Sequence, residues 1–150
     1  MARTIRSAVL GAARGRRRAV CLLGLLSLLT ACSISLNAGV FVKPAPGVIA
    51  FGAALGPGDD TVLNPTGAAT RGSTVYFVAT FLDLAEGEVR MTATNTANGQ
   101  SQQVATEQIP APAAFLYGDF RMPMTIEPGA YRYDVLDGVT VLASGQLTVS

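Results

Sequence analysis

The sequence of 150 residues contains no histidine, no tryptophan and two cysteines, Cys21 and Cys32. Histidine is the commonest general base and the central member of the Ser-His-Asp triad, so that arrangement is excluded. Zinc sites built from cysteine and histidine are excluded by the same shortage. The sequence also has no glycine-rich loop of the kind that holds phosphates. We therefore expect no cofactor and no enzymatic activity.

Acidic side chains are missing from the first 31 residues. This leader carries six arginines, whereas all ten acids lie after residue 31, beside five bases. The formal charge of +1 thus divides into +6 for the leader and −5 for the remainder. Such a division predicts two segments with different roles. The acidic remainder has no basic patch, so we expect no nucleic-acid partner.

Long apolar runs are also scarce, and the one in the leader spans thirteen uncharged residues, Ala19 to Ala31. As a helix it would be about 20 Å long, which is short of the roughly 30 Å hydrocarbon core of a bilayer. Residues 1–31 are therefore predicted to form a helical signal peptide rather than a transmembrane span. The run Arg16-Arg17-Arg18 leaves twin-arginine export as an alternative to a plain basic start, although the residues after it match that motif poorly.

The leader ends in Leu29-Thr30-Ala31-Cys32, which resembles the lipobox of bacterial lipoproteins. The resemblance implies cleavage between Ala31 and Cys32 and a diacylglyceryl group on the Cys32 thiol. The alternative is an ordinary secretory signal with an incidental cysteine; Cys21 is not preceded by this pattern. Several acyl chains on one cysteine anchor a protein durably, whereas one chain binds marginally. We therefore expect a membrane partner, held through the lipid, and a location facing the periplasm or the cell exterior.

The choice between inner and outer membrane stays open, although Ser33 after the cysteine resembles the sorting rule for outer-membrane delivery. Residues 32–47 contain Lys43-Pro44-Ala45-Pro46-Gly47 and are predicted to be an extended tether. Ile34, Leu36, Val40 and Phe41 are apolar, which leaves packing of part of this segment on the domain as an alternative.

From residue 48 to residue 150 the pattern is typical of strands, with runs of Val, Thr, Tyr and Phe between Gly, Pro, Asn and Asp. Strands are predicted over Val48–Leu55, Thr74–Leu82, Glu88–Asn95, Gln100–Gln108, one or two within Ala113–Ile126, and Gly129–Leu136 and Val139–Val149. The side chains predicted to face the core are Val75, Phe77, Ala79, Phe81, Val89, Met91 and Ala93.

Turn signals separate these strands. Gly56–Asp60 and Ile109–Pro112 are predicted loops, while Asn98-Gly99 and Asp137-Gly138 predict tight hairpin turns. Gly145 predicts a bulge or bend in the last strand. About seven short strands in roughly 100 residues predict an all-β fold, an antiparallel sandwich.

The segment Glu127-Pro128-Gly129-Ala130-Tyr131-Arg132-Tyr133 resembles the tyrosine corner of immunoglobulin domains and the Pro-Gly-x-Tyr segment of fibronectin type III modules. The resemblance implies an immunoglobulin-like sandwich in which the Tyr131 hydroxyl bonds to nearby backbone. The cysteine pair and the core tryptophan of true immunoglobulin domains are missing.

Candidate ligand sites are few. Phe115 and Tyr117 follow the proline-rich stretch and are the best candidates for a surface ligand loop. Asp59 and Asp60, in a glycine-rich loop, leave calcium binding open, although two acids supply too few ligands by themselves. We expect an envelope lipoprotein whose β domain is an interaction or structural module. The alternative is an accessory protein that binds carbohydrate or peptide, through the loop or through the Gln100–Gln108 edge.

Overall fold

The computed structural model describes residues 39–150; the leader, Ala31 and Cys32 lie outside this range. Within it the chain is all-β, with nine strands and no helix, and so no helix that could cross a bilayer. The strands are β1 Phe41–Val42, β2 Val48–Gly52, β3 Ala54–Leu55, β4 Val62–Leu63, β5 Ala68–Ala69, β6 Thr74–Asn95, β7 Ser101–Arg121, β8 Gly129–Asp137 and β9 Thr140–Val149.

Four strands close into a ring. β6 pairs antiparallel with β2 on one part of its length and with β8 on another, and β8 pairs antiparallel with β9. The ring closes through one parallel pairing, Val48 of β2 with Ser144 of β9. β7 pairs with β6 alone among the described strands, and β5 adds to the end of β9. The result is a partly closed barrel, beside a small sheet of order β1-β4-β3.

The two central strands predicted from the sequence are one strand, β6. Its first half pairs with β2 through Tyr76–Thr80, and its second half pairs with β8 through Val89–Asn95. Between them, the register against β7 shifts twice, between Thr80 and Ala85 and between Ala85 and Gly87. Bulges bend a strand and increase its twist. A single long strand can therefore serve two different parts of the ring.

The predicted loop at Ile109–Pro112 is wrong, because β7 continues through it. Ile109 pairs with Gly87 and Ala113 pairs with Ala85, so Pro110 and Pro112 lie in a bulge where β6 offers fewer residues. Proline lacks an N–H donor, and edge strands and bulges are the places in a sheet that tolerate this loss. The two prolines therefore bend β7 without ending it.

The core lies inside the ring. The seven side chains predicted to face it are all buried, and the least buried of them, Phe77, is 6% exposed. Phe51, Phe120 and Tyr133 form its aromatic centre, with ring centroids 5.2 Å apart for Phe51 and Tyr133 and 5.5 Å apart for Phe120 and Tyr133. Such edge-on and offset ring pairs stabilise beyond the area that they bury.

The small sheet covers part of the opposite face of β2 and β6. Val62 of β4 and Val78 of β6 are both fully buried there, although neither belongs to the main core. Gly52 allows the approach, since a Cβ at that position would lie 2.6 Å from the Leu63 carbonyl oxygen. The chain ahead of β2 joins this sheet, because Phe41 and Val42 pair with Leu63 and Val62. Part of the segment assigned to the tether thus packs on the domain.

Both predicted hairpins are present, but their turns differ from the prediction. The β8–β9 turn is shifted by one residue, whereas β6 and β7 are joined by residues 96–100, so the predicted two-residue turn at Asn98-Gly99 is wrong. β8 and β9 are joined by Gly138-Val139, and Gly138 has a φ of 56°. A glycine with positive φ at the first turn position is typical of a type II′ hairpin. In the β6–β7 turn only Gly99 has positive φ, and the Gly99 N–H donates to the Asn95 carbonyl.

The predicted bulge at Gly145 is wrong as to place. The register shift in the last hairpin falls between Val135 and Leu136, whereas Gly145 pairs regularly with Tyr133. Gly145 is needed for a different reason: a Cβ there would lie 2.6 Å from the Ile49 carbonyl oxygen and 3.0 Å from the Phe51 ring. The glycine therefore lets β9 approach β2 closely where the ring closes.

Candidate ligand-binding surfaces

Phe115 and Tyr117 lie within β7, so the prediction that they belong to a loop is wrong. Tyr117 pairs with Val78 of β6, and Phe115 pairs with Thr80. Thr80 in turn pairs with Val48 of β2. Directly opposed residues of antiparallel strands project to the same face of a sheet. Both rings therefore stand on the face turned away from the main core, with centroids 6.1 Å apart and ring planes inclined by 30°.

This face carries an apolar surface that the small sheet leaves open. Leu82 follows Thr80 by two residues and so shares its face; it is 63% exposed and lies against Gly47. Val48 is 41% exposed and Tyr117 46% exposed. We call Val48, Thr80, Leu82, Phe115 and Tyr117 the outer-face patch. Contiguous exposed apolar surface of this kind is typical of interaction sites.

A polar atom without a partner lies within the outer-face patch. The Thr80 Oγ1 atom is inaccessible to solvent and has no hydrogen-bond partner. Its cross-strand neighbours, Val48 and Phe115, are apolar. Buried hydroxyl groups are ordinarily paired, since an unmade bond costs free energy. The patch therefore contains one hydroxyl group whose hydrogen-bonding capacity is unused.

A groove opens on the side of the barrel where β7 has no further strand beside it. Its volume is about 240 Å³, and its lining includes Gln102 and Val104 from the start of β7, with Phe120, Ile126 and Tyr133. A second groove, also of about 240 Å³, shares Gln102 and Ile126 and extends to Ser101 and Tyr131. Aromatic side chains with amide side chains at the rim can hold a sugar ring or the side chains of an extended peptide.

The backbone at this edge is available for pairing. The Asn95 N–H donates to the Gln100 carbonyl at 2.8 Å, so Gln100 directs its carbonyl toward β6. In an antiparallel pair successive residues alternate between facing the partner strand and facing away from it. Ser101 and Gln103 therefore direct their N–H and carbonyl groups away from β6, toward the open side.

Two tyrosines lie near these grooves in different environments. The Tyr131 hydroxyl donates to the Glu127 carbonyl at 2.8 Å and accepts a hydrogen bond from Asn95 Nδ2 at 3.3 Å. The Tyr133 hydroxyl is directed at Met122 Sδ, 3.9 Å away. Burial, and to a lesser extent the neighbouring Tyr131, raises the pKa of Tyr133 to about 12. Tyr133 therefore stays neutral and serves the core rather than acid–base chemistry.

The acidic loop is arranged around a lysine. Asp60 Oδ2 accepts a hydrogen bond from Lys43 Nζ at 2.9 Å, and this bond lowers the pKa of Asp60 from its ordinary value. Asp59 has a φ of 59°, as turn aspartates tolerate. Among residues 39–150, no three Asp, Glu, His or Cys side chains group closely enough to hold a metal ion. The loop thus presents an ion pair with Lys43.

The sequence pattern indicates Phe115 and Tyr117 as surface residues but does not indicate the rest of the outer-face patch. Thr74–Leu82 is apolar on both faces, which is typical of a strand buried on both sides; the structure covers the second face at Val78 and leaves it open at Leu82. The sequence predicts strands at Phe120 and Tyr133, but their position beside a groove depends on the path of β7 past its bulge. Cys32 and Ala31, the predicted lipidation and cleavage residues, lie outside the described residues.

No protein-family model matches this sequence, and no curated protein is recognisably similar to it.

Proposed function

We propose that this chain is a lipid-anchored protein of the bacterial cell envelope whose β domain is an interaction or structural module and not an enzyme. The anchor is supported by Leu29-Thr30-Ala31-Cys32 and by the reversal of charge that follows it. The interaction role is carried by the outer-face patch, which combines the exposed Leu82 with the paired rings of Phe115 and Tyr117. Large apolar side chains in contact with water favour the binding of a partner.

We further propose that the domain is an immunoglobulin-like sandwich whose halves join into the partly closed barrel. The segment around Tyr131 supports this, because the hydroxyl bonds to backbone four residues upstream at the start of the penultimate strand. The terminal hairpin of β8 and β9 supports it as well.

Intact-mass analysis tests the anchor. The protein purified from membranes is expected to start at Cys32 and to carry the mass of its acyl chains. The variant Cys32→Ser is expected to carry none and to leave the membrane fraction. A wild-type chain that begins at Cys32 without lipid, or that retains the leader, would contradict the proposal.

Capture of partners from envelope extracts tests the outer-face patch. The double variant Phe115→Ser, Tyr117→Ser is expected to lose partners that the wild-type protein retains. Val139→Ser is a matched control, because Val139 is 94% exposed and lies in the β8–β9 turn, outside the patch. Thermal unfolding identifies a variant that has lost its fold. Equal loss of partners in the folded control and the folded patch variant would exclude the patch as the binding surface.

A second function, an accessory role in binding a peptide or a carbohydrate, is favoured by the groove and the free edge of β7. A guest strand could pair with Ser101 and Gln103 while its side chains enter the groove over Phe120. Gln103→Pro removes one outward N–H and is expected to weaken peptide binding, whereas Tyr117→Ala is expected to leave it unchanged. Loss on Tyr117→Ala, together with binding on a glycan array, would favour a carbohydrate on the outer face.

A further inference from the structure

The first described strand, β1, and the residue before it present apolar side chains to solvent. Val40 is 61% exposed, Phe41 50% and Val42 37%. β1 is the end strand of the small sheet, so it is not covered by another strand on one side within residues 39–150. The Phe41 ring lies against Gly56 and leaves its outer half in water. Three consecutive apolar residues therefore form an exposed ridge, which we call the β1 ridge: Val40, Phe41 and Val42.

The position of the β1 ridge in the chain limits how far it can be from Cys32. Val40 follows Cys32 by eight residues, and a fully extended chain spans at most about 3.6 Å per residue, or about 29 Å in total. A domain of this size has a radius of gyration near 13 Å, which corresponds to a diameter of roughly 34 Å. The connection from Cys32 to Val40 is thus shorter, even at full extension, than the domain is wide.

We propose that the β1 ridge rests on the lipid surface, with Val40 and Phe41 in the boundary between headgroups and acyl chains. This inference rests on the proposed lipid anchor, which would hold the ridge within about 29 Å of the bilayer. Apolar side chains at such a boundary are removed from water, as in interfacial anchors. The ridge then acts as a second membrane contact that orients the domain.

The opposite end of the domain supplies an internal control. Gly52 of β2 lies against Val62 and Leu63 of the small sheet. β2 runs parallel to β9, and Val48 pairs with Ser144. Gly52 comes four residues after Val48, whereas Thr140, next to the β8–β9 turn, comes four residues before Ser144. The turn and Gly52 therefore lie at opposite ends of this strand pair. At about 3.3 Å per residue, Gly52 and Thr140 are separated by roughly 26 Å along the strands. Val139, in that turn, is exposed and distant from the β1 ridge.

The absence of tryptophan makes a single-tryptophan test possible. Full-length Phe41→Trp is purified with its lipid and inserted into vesicles of phosphatidylethanolamine and phosphatidylglycerol, with and without bromine on the acyl chains. The emission of the introduced indole is expected to shift to the blue and to be quenched about twofold by brominated lipid, since interfacial side chains reach the acyl boundary. Val139→Trp in the same vesicles is expected to show neither change.

The outcomes distinguish a failure of the contact between the β1 ridge and the bilayer from a failure of the lipid anchor. A lipid mass on the protein with no quenching in the Phe41→Trp variant would overturn the inference and leave the anchor intact. Equal quenching of both reporters would also overturn it, because the contact would not belong to the ridge. Absence of the lipid mass would overturn both. Val40→Trp is a second reporter, which keeps the test valid where the larger indole in place of Phe41 disturbs packing on Gly56.

Discussion

The hydroxyl of Tyr131 donates a hydrogen bond to the carbonyl of Glu127 at 2.8 Å, across the turn that leads into β8. The same oxygen accepts from Nδ2 of Asn95, a buried residue at the end of β6. Asn95 Oδ1 in turn accepts the Ala97 N–H at 2.9 Å. One hydroxyl group thus joins the entry to β8 with the β6–β7 turn.

Replacing Tyr131 with phenylalanine is expected to lower the free energy of unfolding by about 1–3 kcal/mol. The buried Asn95 amide loses its acceptor, and the Glu127 carbonyl loses its donor. Urea unfolding measures the change. Tyr117→Phe is the control, since that ring is 46% exposed, and its change is expected to stay within about 0.5 kcal/mol. Equal effects in the two variants would exclude a structural role for the Tyr131 bond.

The buried Tyr133 predicts a loss of stability at alkaline pH. Its pKa in the folded protein is about 12, whereas an unfolded tyrosine ionises near pH 10. Between these values the unfolded state has released a proton that the folded state keeps, so stability falls as pH rises. The stability of Tyr133→Phe is expected to fall less steeply than that of the wild-type protein between about pH 10 and about pH 12, as measured by urea unfolding at each pH. Parallel profiles for the two proteins would contradict the raised pKa.

The closure of the ring predicts that replacing Gly145 lowers the free energy of unfolding. A Cβ there would meet the Ile49 carbonyl oxygen at 2.6 Å, so Gly145→Ala must push β9 away from β2. Overpacking of this kind costs about 1–3 kcal/mol. Gly67→Ala is a matched control, because a Cβ at Gly67 meets nothing within 4 Å. Gly145→Ala is expected to unfold at a lower temperature than Gly67→Ala. Equal unfolding temperatures would show that the strands have room to move apart.

The strands and their buried faces could be predicted because they depend on local pattern. Alternation placed Val89, Met91 and Ala93 on the core side, and the structure buries all three. The terminal hairpin followed from a glycine-containing turn between two apolar runs, and only the turn position moved by one residue.

The continuity of the long strands could not be predicted, because it depends on partners distant in the sequence. Pro110 and Pro112 are typical of a loop, yet β7 is an edge strand in which a missing N–H is tolerated at a bulge. The two-residue strands of the small sheet are too short to show the alternation of buried and exposed side chains by which a strand is predicted. The outer-face patch likewise depends on how far that sheet extends over β6, which local pattern does not determine.

The ion pair of the acidic loop predicts a titration change. Lys43→Met removes the hydrogen bond that lowers the pKa of Asp60. The Asp60 pKa is expected to rise toward its ordinary value in an NMR titration of carboxyl carbons. A lowered pKa stabilises the folded state above the unfolded pKa and loses this contribution as pH falls. An unchanged Asp60 titration in the variant would show that Lys43 is not its partner in solution.

The unused hydroxyl group of Thr80 gives a prediction about stability. Thr80→Val keeps the shape of the side chain and removes a buried oxygen that has no partner. An unsatisfied buried group costs about 1–3 kcal/mol, so the variant is expected to be more stable by up to about this amount. Urea unfolding measures the gain, and Thr80→Ser, which keeps the hydroxyl group and loses the methyl group, is expected to be less stable.

The same variant tests how a partner recognises the outer-face patch. Because Thr80 Oγ1 is inaccessible to solvent, a partner resting on the patch does not reach it, and Thr80→Val is expected to bind such a partner as well as the wild-type protein does while unfolding at higher urea. A gain in stability with unchanged binding would show that the patch is recognised through its apolar side chains alone. A loss of stability would show that Thr80 Oγ1 is hydrogen-bonded in solution. Each result separates the role of Thr80 from that of Phe115 and Tyr117, whose rings supply area rather than hydrogen bonds on this face.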